Sequence, residues 1–259
     1  MVLQNERFAF EFSGALLVAS LVSWDTEVFS YPVGQIERIK IQDLGHADLS
    51  YIHFESWRDA NHCELISCRL SHENLKESIF LEGKGFRFIE TVLHPKLEGL
   101  KRLNIPDQGL DISPAFETDL YAIRKIAESV FKNERFYVDP RLDPLRAKVR
   151  YGNWTANTLG HPTQRLLKVL DNEELVAFFI IEVKSDGDAF WHLTAVAPEH
   201  QGRGYGRRTW LEMLRYHANN GNDAVGTTIS ATNIPVLNLY ASLGFRFAPP
   251  EMTFHWIKE

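Results

Sequence analysis

The sequence predicts a mixed α/β fold in which a mostly antiparallel sheet is flanked by helices. Three observations carry that expectation. Apolar runs of strand length alternate with segments whose apolar residues keep helical spacing. A glycine-rich stretch, Gln201-Gly202-Arg203-Gly204-Tyr205-Gly206, lies between a strand-like run and a helix-like one. One pattern of strand, helix, glycine and Phe-Arg-Phe occurs once in each half of the chain.

Short strand-like runs dominate the first hundred residues: 15–22, 36–41, 48–54 and 64–70. Asn104-Ile105-Pro106-Asp107-Gln108-Gly109 is a run of loop formers, and it sets the expected boundary between a module at 1–105 and a domain at 106–259. Beyond it Thr118 caps a predicted helix carrying Leu120, Ile123, Ala127 and Val130 at helical spacing. Asp143-Pro144 starts another, which Gly160 stops. Strands at 165–170 and 175–183 join at Asp171-Asn172, and a turn at 185–188 leads into a strand at 189–197. A helix at about 204–220, a strand at 224–229, a helix at 234–243 stopped by Gly244, and two short strands complete the chain.

With 259 residues, 44% apolar and 24% charged, the chain can bury one large core or two medium ones. A formal net charge of -6 argues against nonspecific nucleic-acid binding, which needs a basic face. The apolar run 15–22 is too short to span a bilayer. The opening Met1-Val2-Leu3-Gln4-Asn5-Glu6-Arg7 lacks the basic start and apolar run of a signal peptide. Cys63 and Cys68, the two cysteines, would point to opposite faces of one strand, so free thiols in a reducing compartment are expected. These features give a cytoplasmic location with no membrane and no nucleic-acid partner.

The glycine-rich stretch has a specific physical meaning. Glycines at 202, 204 and 206 remove the β-carbons that keep a ligand from the backbone. Successive N–H groups at a helix start form an anion site, which the helix dipole reinforces. Arg203, Arg207 and Arg208 add cations suited to a pyrophosphate and a further phosphate. The spacing is G-x-G-x-G, so it is neither the dinucleotide fingerprint nor a Walker loop.

Gln201 to Gly206 resembles the [QR]-x-x-G-x-[GA] acetyl-CoA loop of the GCN5-related N-acetyltransferases (GNAT), and Leu193-Thr194-Ala195-Val196-Ala197-Pro198 resembles the strand leading into it. Asn233, Val236, Leu237, Leu239, Tyr240, Gly244 and Phe245 are similar to that family's second motif. The resemblance covers roughly 110–259. It implies a GNAT fold that binds acetyl-CoA as cosubstrate, with no metal, through Thr194, Val196, Gln201, Gly202, Arg203, Gly204, Tyr205, Gly206, Arg207 and Asn233. Backbone groups near Val196 would pair with the pantetheine arm, and the Tyr240 hydroxyl would reach the coenzyme sulfur as proton donor. Asn233 is also a helix-cap candidate.

Transfer to an amine further needs a base. Many family members place a glutamate where Phe190 stands, and phenylalanine takes no proton. His192, two residues on and on the same strand face, is the candidate, with Glu182 on the neighbouring strand or a water relay as alternatives. Neither cysteine lies near a motif, so direct attack without a covalent enzyme intermediate is expected.

The segment 74–88 can be laid over 233–247 without a gap. Asn74 meets Asn233, Gly85 meets Gly244, and Phe86-Arg87-Phe88 meets Phe245-Arg246-Phe247, while Leu81 stands opposite Tyr240 and Ser71 opposite Ser230. The first module then reads as a partial, degenerate GNAT-like unit without a coenzyme loop. That layout resembles the dTDP-fucosamine acetyltransferases, as do Trp24-Asp25-Thr26-Glu27-Val28-Phe29 and Arg135-Phe136-Tyr137-Val138-Asp139-Pro140. It implies that the small-molecule amine acceptor is a nucleotide-linked amino sugar, and a homodimer is compatible with it. The other readings are a protein N-terminus or other small amine as acceptor, and a non-catalytic acyl-CoA-binding module.

Overall fold

A computed structural model describes residues 6–259, and Met1 to Asn5, on which most of the signal-peptide expectation falls, lie outside the described residues. In chain order the elements are β1 (Arg7–Phe12), β2 (Ala15–Leu21), α1 (Ser23–Phe29), β3 (Val33–Ile41), α2 (Leu44–Ala60), β4 (Leu65–Ser71), α3 (Leu75–Gly83) and β5 (Arg87–Glu98). There follow β6 (Asp111–Pro114), α4 (Leu120–Val130), α5 (Arg135–Val138), α6 (Pro144–Thr158), β7 (Gln164–Asp171), β8 (Glu174–Val183) and β9 (Ala189–Val196). The chain closes with α7 (Tyr205–Asn219), β10 (Ala224–Thr227), β11 (Ile229–Ser230), α8 (Ile234–Ser242) and β12 (Arg246–Ile257). No helix among the described residues is long and apolar enough to cross a membrane.

Two compact units result, and neither is a continuous stretch of sequence. The first takes the chain up to Thr91, then Val138–Arg146 and Pro249–Glu259; the second takes Val92–Tyr137 and Ala147–Ala248. This differs from a division at residue 105. The cause is that β5 and β12 are both 12 residues long, and each carries chain from one unit to the other.

In the first unit β1, β2 and β3 are antiparallel neighbours, β3 runs parallel to β4, and β12 closes antiparallel on β4. Its core gathers Leu17, Ile36, Ile66 and Phe254 from strands with Tyr51, Phe54, Phe80 and Leu81 from α2 and α3. Residues 48–54, expected as a strand, belong to α2. Asp43 caps that helix by accepting the His46 N–H at 3.1 Å, and its buried residues Ala47, Ser50, Tyr51, Phe54, Trp57 and Arg58 recur every three or four positions. A seven-residue window was too short to show that period. The two short closing strands are one, β12: its register with β4 begins at the Glu251–Ser71 pair, and Pro250, which has no N–H to give, accepts the His72 N–H through its carbonyl at 3.0 Å.

In the second unit β10 pairs antiparallel with β5 and parallel with β9, and β9, β8, β7 and β6 follow in antiparallel order. The hairpin between β7 and β8 turns at Asn172 and Glu173, both at positive φ (47° and 68°), as a type I′ turn requires. One core contains Phe179, Trp191, Trp210, Met213 and Tyr240, on the side of α7 and α8. A second packs Phe178, Ile180 and Leu193 against Ile123, Ile126 and Tyr151 of α4 and α6. Helix α4 begins after a single 3-10 turn at Glu117–Asp119. Its entry is tied by Asp119 accepting the Phe116 N–H at 2.8 Å, in place of the expected Thr118 cap.

Candidate coenzyme and acceptor site

Strands β9 and β10 are paired at only three positions, from Ala189–Val225 to Trp191–Thr227. Beyond them the strands are no longer paired, and the end of β9 contributes to a cavity of about 450 Å³. Thr194, Val196, Gln201, Gly202, Gly206 and Asn233 line it, as do Phe131, Asn133, Trp210, Pro235 and Leu239. Trp210 and the Phe131–Asn133 stretch carried no motif. The helical spacing of α7 places Trp210 one turn after Gly206, and this is the one signal that could have pointed to it.

The loop has the geometry its glycines permit. Gly202 and Gly204 sit at φ 72° and 84°, in the left-handed region. Gly204 is the N-cap of α7, and no side chain caps the helix there. A β-carbon at either position would meet no atom within 4 Å, so space lies open in front of the helix N-terminus. Such an end, with its uncapped N–H groups and positive dipole, fits a pyrophosphate. Gln201 ties the loop to β9 by donating to the Val196 carbonyl at 3.0 Å. Arg203 and Arg207 are exposed, donating to the Glu199 carbonyl (3.4 Å) and the Ser242 hydroxyl (3.1 Å). Arg208 and the Tyr205 hydroxyl instead both bind Asp171, at 3.0 and 2.8 Å, and together hold its carboxyl below the usual range. Those two side chains brace the β7–β8 turn and do not line the cavity.

Asn233 is the N-cap of α8 but makes no side-chain capping bond, and it lines the cavity. Tyr240, two helical turns on, is 2% exposed and is not part of the lining. Burial raises its hydroxyl above the ordinary phenol value, and the neighbouring polar groups of Trp210, Thr227 and Thr194 pull the other way. Trp210 and Thr194 are themselves wall residues, so Tyr240 sits directly behind the wall, protonated at neutral pH.

His192 occupies a β-bulge. Ile181 pairs with Trp191 and Ile180 with Leu193, which leaves His192 as the extra residue of β9. Its Nε2 lies 2.9 Å from Glu182 Oε2 on β8, so two alternatives separated in sequence are in contact. The Phe190 ring is 4.9 Å away and the Trp154 ring 6.2 Å away. Burial lowers the His192 pKa, the Glu182 carboxylate pulls it back up, and the net direction is below the ordinary histidine value. Glu182 is held low by Thr163 and then by His192.

The first unit repeats this local geometry bond for bond. Asn74 is an N-cap without a side-chain bond, as Asn233 is, and donates its N–H to the Ser71 carbonyl at 2.9 Å where Asn233 uses Ser230 at 3.0 Å. Gly85 and Gly244 have φ of 87° and 86°, and Phe86 and Phe245 bond back to the carbonyls of Leu81 and Tyr240 at 3.0 and 3.1 Å. Strand β3 is bulged at Glu37, one residue after the Ile36–Cys68 pair, as β9 is bulged one residue after Trp191–Thr227. Counting from those pairs, Ile41 stands where Val196 does. In the first unit, however, Glu77 Oε1 accepts the Ile41 N–H at 2.9 Å and Asp43 caps the helix that corresponds to α7. Two internal carboxylates thus sit on backbone donors in the first unit, whereas no side chain caps α7 in the second.

Residues 121–245 match the model of the acetyltransferase (GNAT) family. No curated protein matches the chain in sequence. Among solved structures, a GCN5-related N-acetyltransferase from Sphaerobacter thermophilus is 13% identical, with a TM-score of 0.65 over 94% of this chain and 80% of that one. A tandem GNAT protein from the clavulanic acid biosynthesis pathway is also 13% identical, with a TM-score of 0.62 over 94% and 79%. The glucosamine N-acetyltransferase region of a fungal multi-domain β-N-acetylglucosaminidase is 12% identical, with a TM-score of 0.67 over 94% of this chain and 31% of that one. At these identities the likeness is one of fold, and the fold is the GNAT fold. The family model covers a little under half of the chain, and the structural neighbours share its fold.

Proposed function

We propose that the chain is a cytoplasmic N-acetyltransferase that moves an acetyl group from acetyl-CoA to the amine of a small acceptor, in particular a nucleotide-linked amino sugar. The observation that carries the donor is the uncapped N-terminus of α7, with two left-handed glycines and open space before it. Acetyl-CoA held there supplies an activated thioester. Gly202, Gly204 and the first turn of α7 hold its pyrophosphate, Asn233 and the end of β9 orient the arm, and backbone N–H groups near Val196 polarise the carbonyl. Tyr240 gives its proton to the departing sulfur, and His192 takes one from the amine.

Direct attack is the mechanism. Both cysteines are buried in the first unit, and burial pushes each thiol up to about 12, so neither offers a thiolate. The amino-sugar acceptor is supported by the Trp154 and Phe190 rings beside His192, whose apolar faces suit a sugar ring. The glucosamine acetyltransferase region among the structural neighbours is in keeping with that chemistry.

A second reading, a coenzyme-binding module without catalysis, is favoured by one observation: Tyr240 lies behind the cavity wall. The test is thiol release from acetyl-CoA with a panel of amines: a nucleotide-linked amino sugar, a free hexosamine, a polyamine and a peptide N-terminus. Acetylation of the sugar amine is the expected result. Thiol release with another amine alone would reassign the acceptor, and coenzyme binding with no release on any amine would favour the second reading.

A further inference from the structure

We propose that Glu182 is the positioning residue for acceptor deprotonation, holding His192 by its Nε2–H so that Nδ1 is left to receive the proton. The inference rests on the reading of His192 as the base. Its foundation is geometric. Glu182 lies across the β8–β9 ladder from Phe190, and the bulge adds one residue that sets the His192 ring beside Phe190 and on the carboxylate at 2.9 Å. A carboxylate only accepts hydrogen bonds, so the neutral imidazole must carry its hydrogen on Nε2. Nδ1 then presents a lone pair and has no hydrogen-bond partner among the described residues.

The carboxylate has a second effect. When Nδ1 takes the proton, the imidazolium forms beside a negative charge in a half-buried site, where the attraction is weakly screened. Around His192, Glu182 on β8 is the anion; His161 after α6 and Lys184 after β8 oppose the positive charge; Trp154 of α6 and Phe190 supply apolar rings. In the reaction the amine nitrogen loses one proton to Nδ1 while the C–N bond forms and the C–S bond breaks. The departing sulfur takes the Tyr240 hydroxyl proton, and the proton on His192 returns to the tyrosine through solvent.

The test has two arms. In the first, 15N and 1H NMR of the intact chain follows His192 in the wild type and in Glu182→Gln. The Nε2–H tautomer is expected in the wild type. In the variant the His192 pKa should fall by about one unit or more, since a neighbouring opposite charge shifts a pKa by 1–3 units. An Nδ1–H tautomer, or an unmoved pKa, overturns the inference. In the second arm kcat/KM is followed against pH. Activity rises with pH as His192 loses its proton, so the rising limb should move to lower pH in Glu182→Gln and disappear in His192→Gln. A limb that vanishes in His192→Gln but stays in place in Glu182→Gln sinks the role of Glu182 and leaves the base standing. A limb unchanged in His192→Gln sinks the reading of the base itself. Acetyl-CoA affinity, measured calorimetrically, should be unchanged in both variants and reports that they are folded.

Discussion

Gly204→Val separates the proposed role of the 201–206 loop in coenzyme binding from its role in folding. At φ 84° a side chain costs about 1–3 kcal/mol in backbone strain, most for a β-branched residue. No steric term adds to it, because a β-carbon there meets nothing within 4 Å. At about 2–4 °C per kcal/mol for a chain of this size, Tm should fall by several degrees and the protein remain folded. The valine methyls would then occupy the space in front of the α7 N-terminus. Losing two charge-assisted hydrogen bonds to a phosphate, each worth about 1.5–3 kcal/mol, weakens acetyl-CoA by more than about 100-fold. Gly206→Ala is the matched control. Gly206 is in the first turn of α7, its φ is not positive, and its new methyl would lie 3.6 Å from Leu239 Cδ2, an ordinary contact. It should leave affinity within a few-fold and raise stability by about 0.5–1 kcal/mol. Titration calorimetry with acetyl-CoA and thermal melts measure both variants. Unchanged affinity in Gly204→Val, or equal losses in the two, would refute an anion site at this helix end.

Three other outcomes follow from the same geometry. Tyr240→Phe should lower kcat by roughly 10²- to 10⁴-fold with little change in coenzyme affinity, since only the hydroxyl is lost, and stopped-time thiol assays with calorimetry check it. Calorimetric stoichiometry should be one acetyl-CoA per chain, because Glu77 and Asp43 occupy the donors of the first unit; two sites per chain would contradict that account. Asp139→Asn should destabilise the fold by about 3 kcal/mol, because it strips the anion from a buried group in which Asp139 holds His255 at 2.9 Å and Arg141 at 2.8 Å. Burial alone would raise the Asp139 carboxyl, but His255 and Arg141 hold it well below the usual carboxylate range. A lowered folded-state pKa means this stability is present above the unfolded value near 4 and is lost as pH falls. In urea melts between pH 7 and 3 the gap between wild type and variant should therefore be constant down to about pH 4 and begin to narrow below it.

What the chain makes legible without its fold is chemistry confined to a few neighbouring residues. The left-handed glycines at 202 and 204, the cap at Asn233 and the stop at Gly244 are local conformational demands, and so they stand in the sequence at fixed spacing. The repeat at 74–88 and 233–247 was legible for the same reason, down to the backbone bonds that close each helix. Tertiary structure decided everything that depends on which strands become neighbours. Glu182 and His192 meet through a ladder and a bulge, and Asp139 reaches His255 across 116 residues. The directions of Tyr205 and Arg208, toward Asp171, depend on where the β7–β8 hairpin ends. The helix at Leu44–Ala60 was hidden because its period is set by a core that β2, β3 and β4 complete from elsewhere in the chain. Likewise the division into units follows the two long strands β5 and β12, whose pairing partners no local pattern names, since a strand's hydrogen bonds are made to residues remote in sequence.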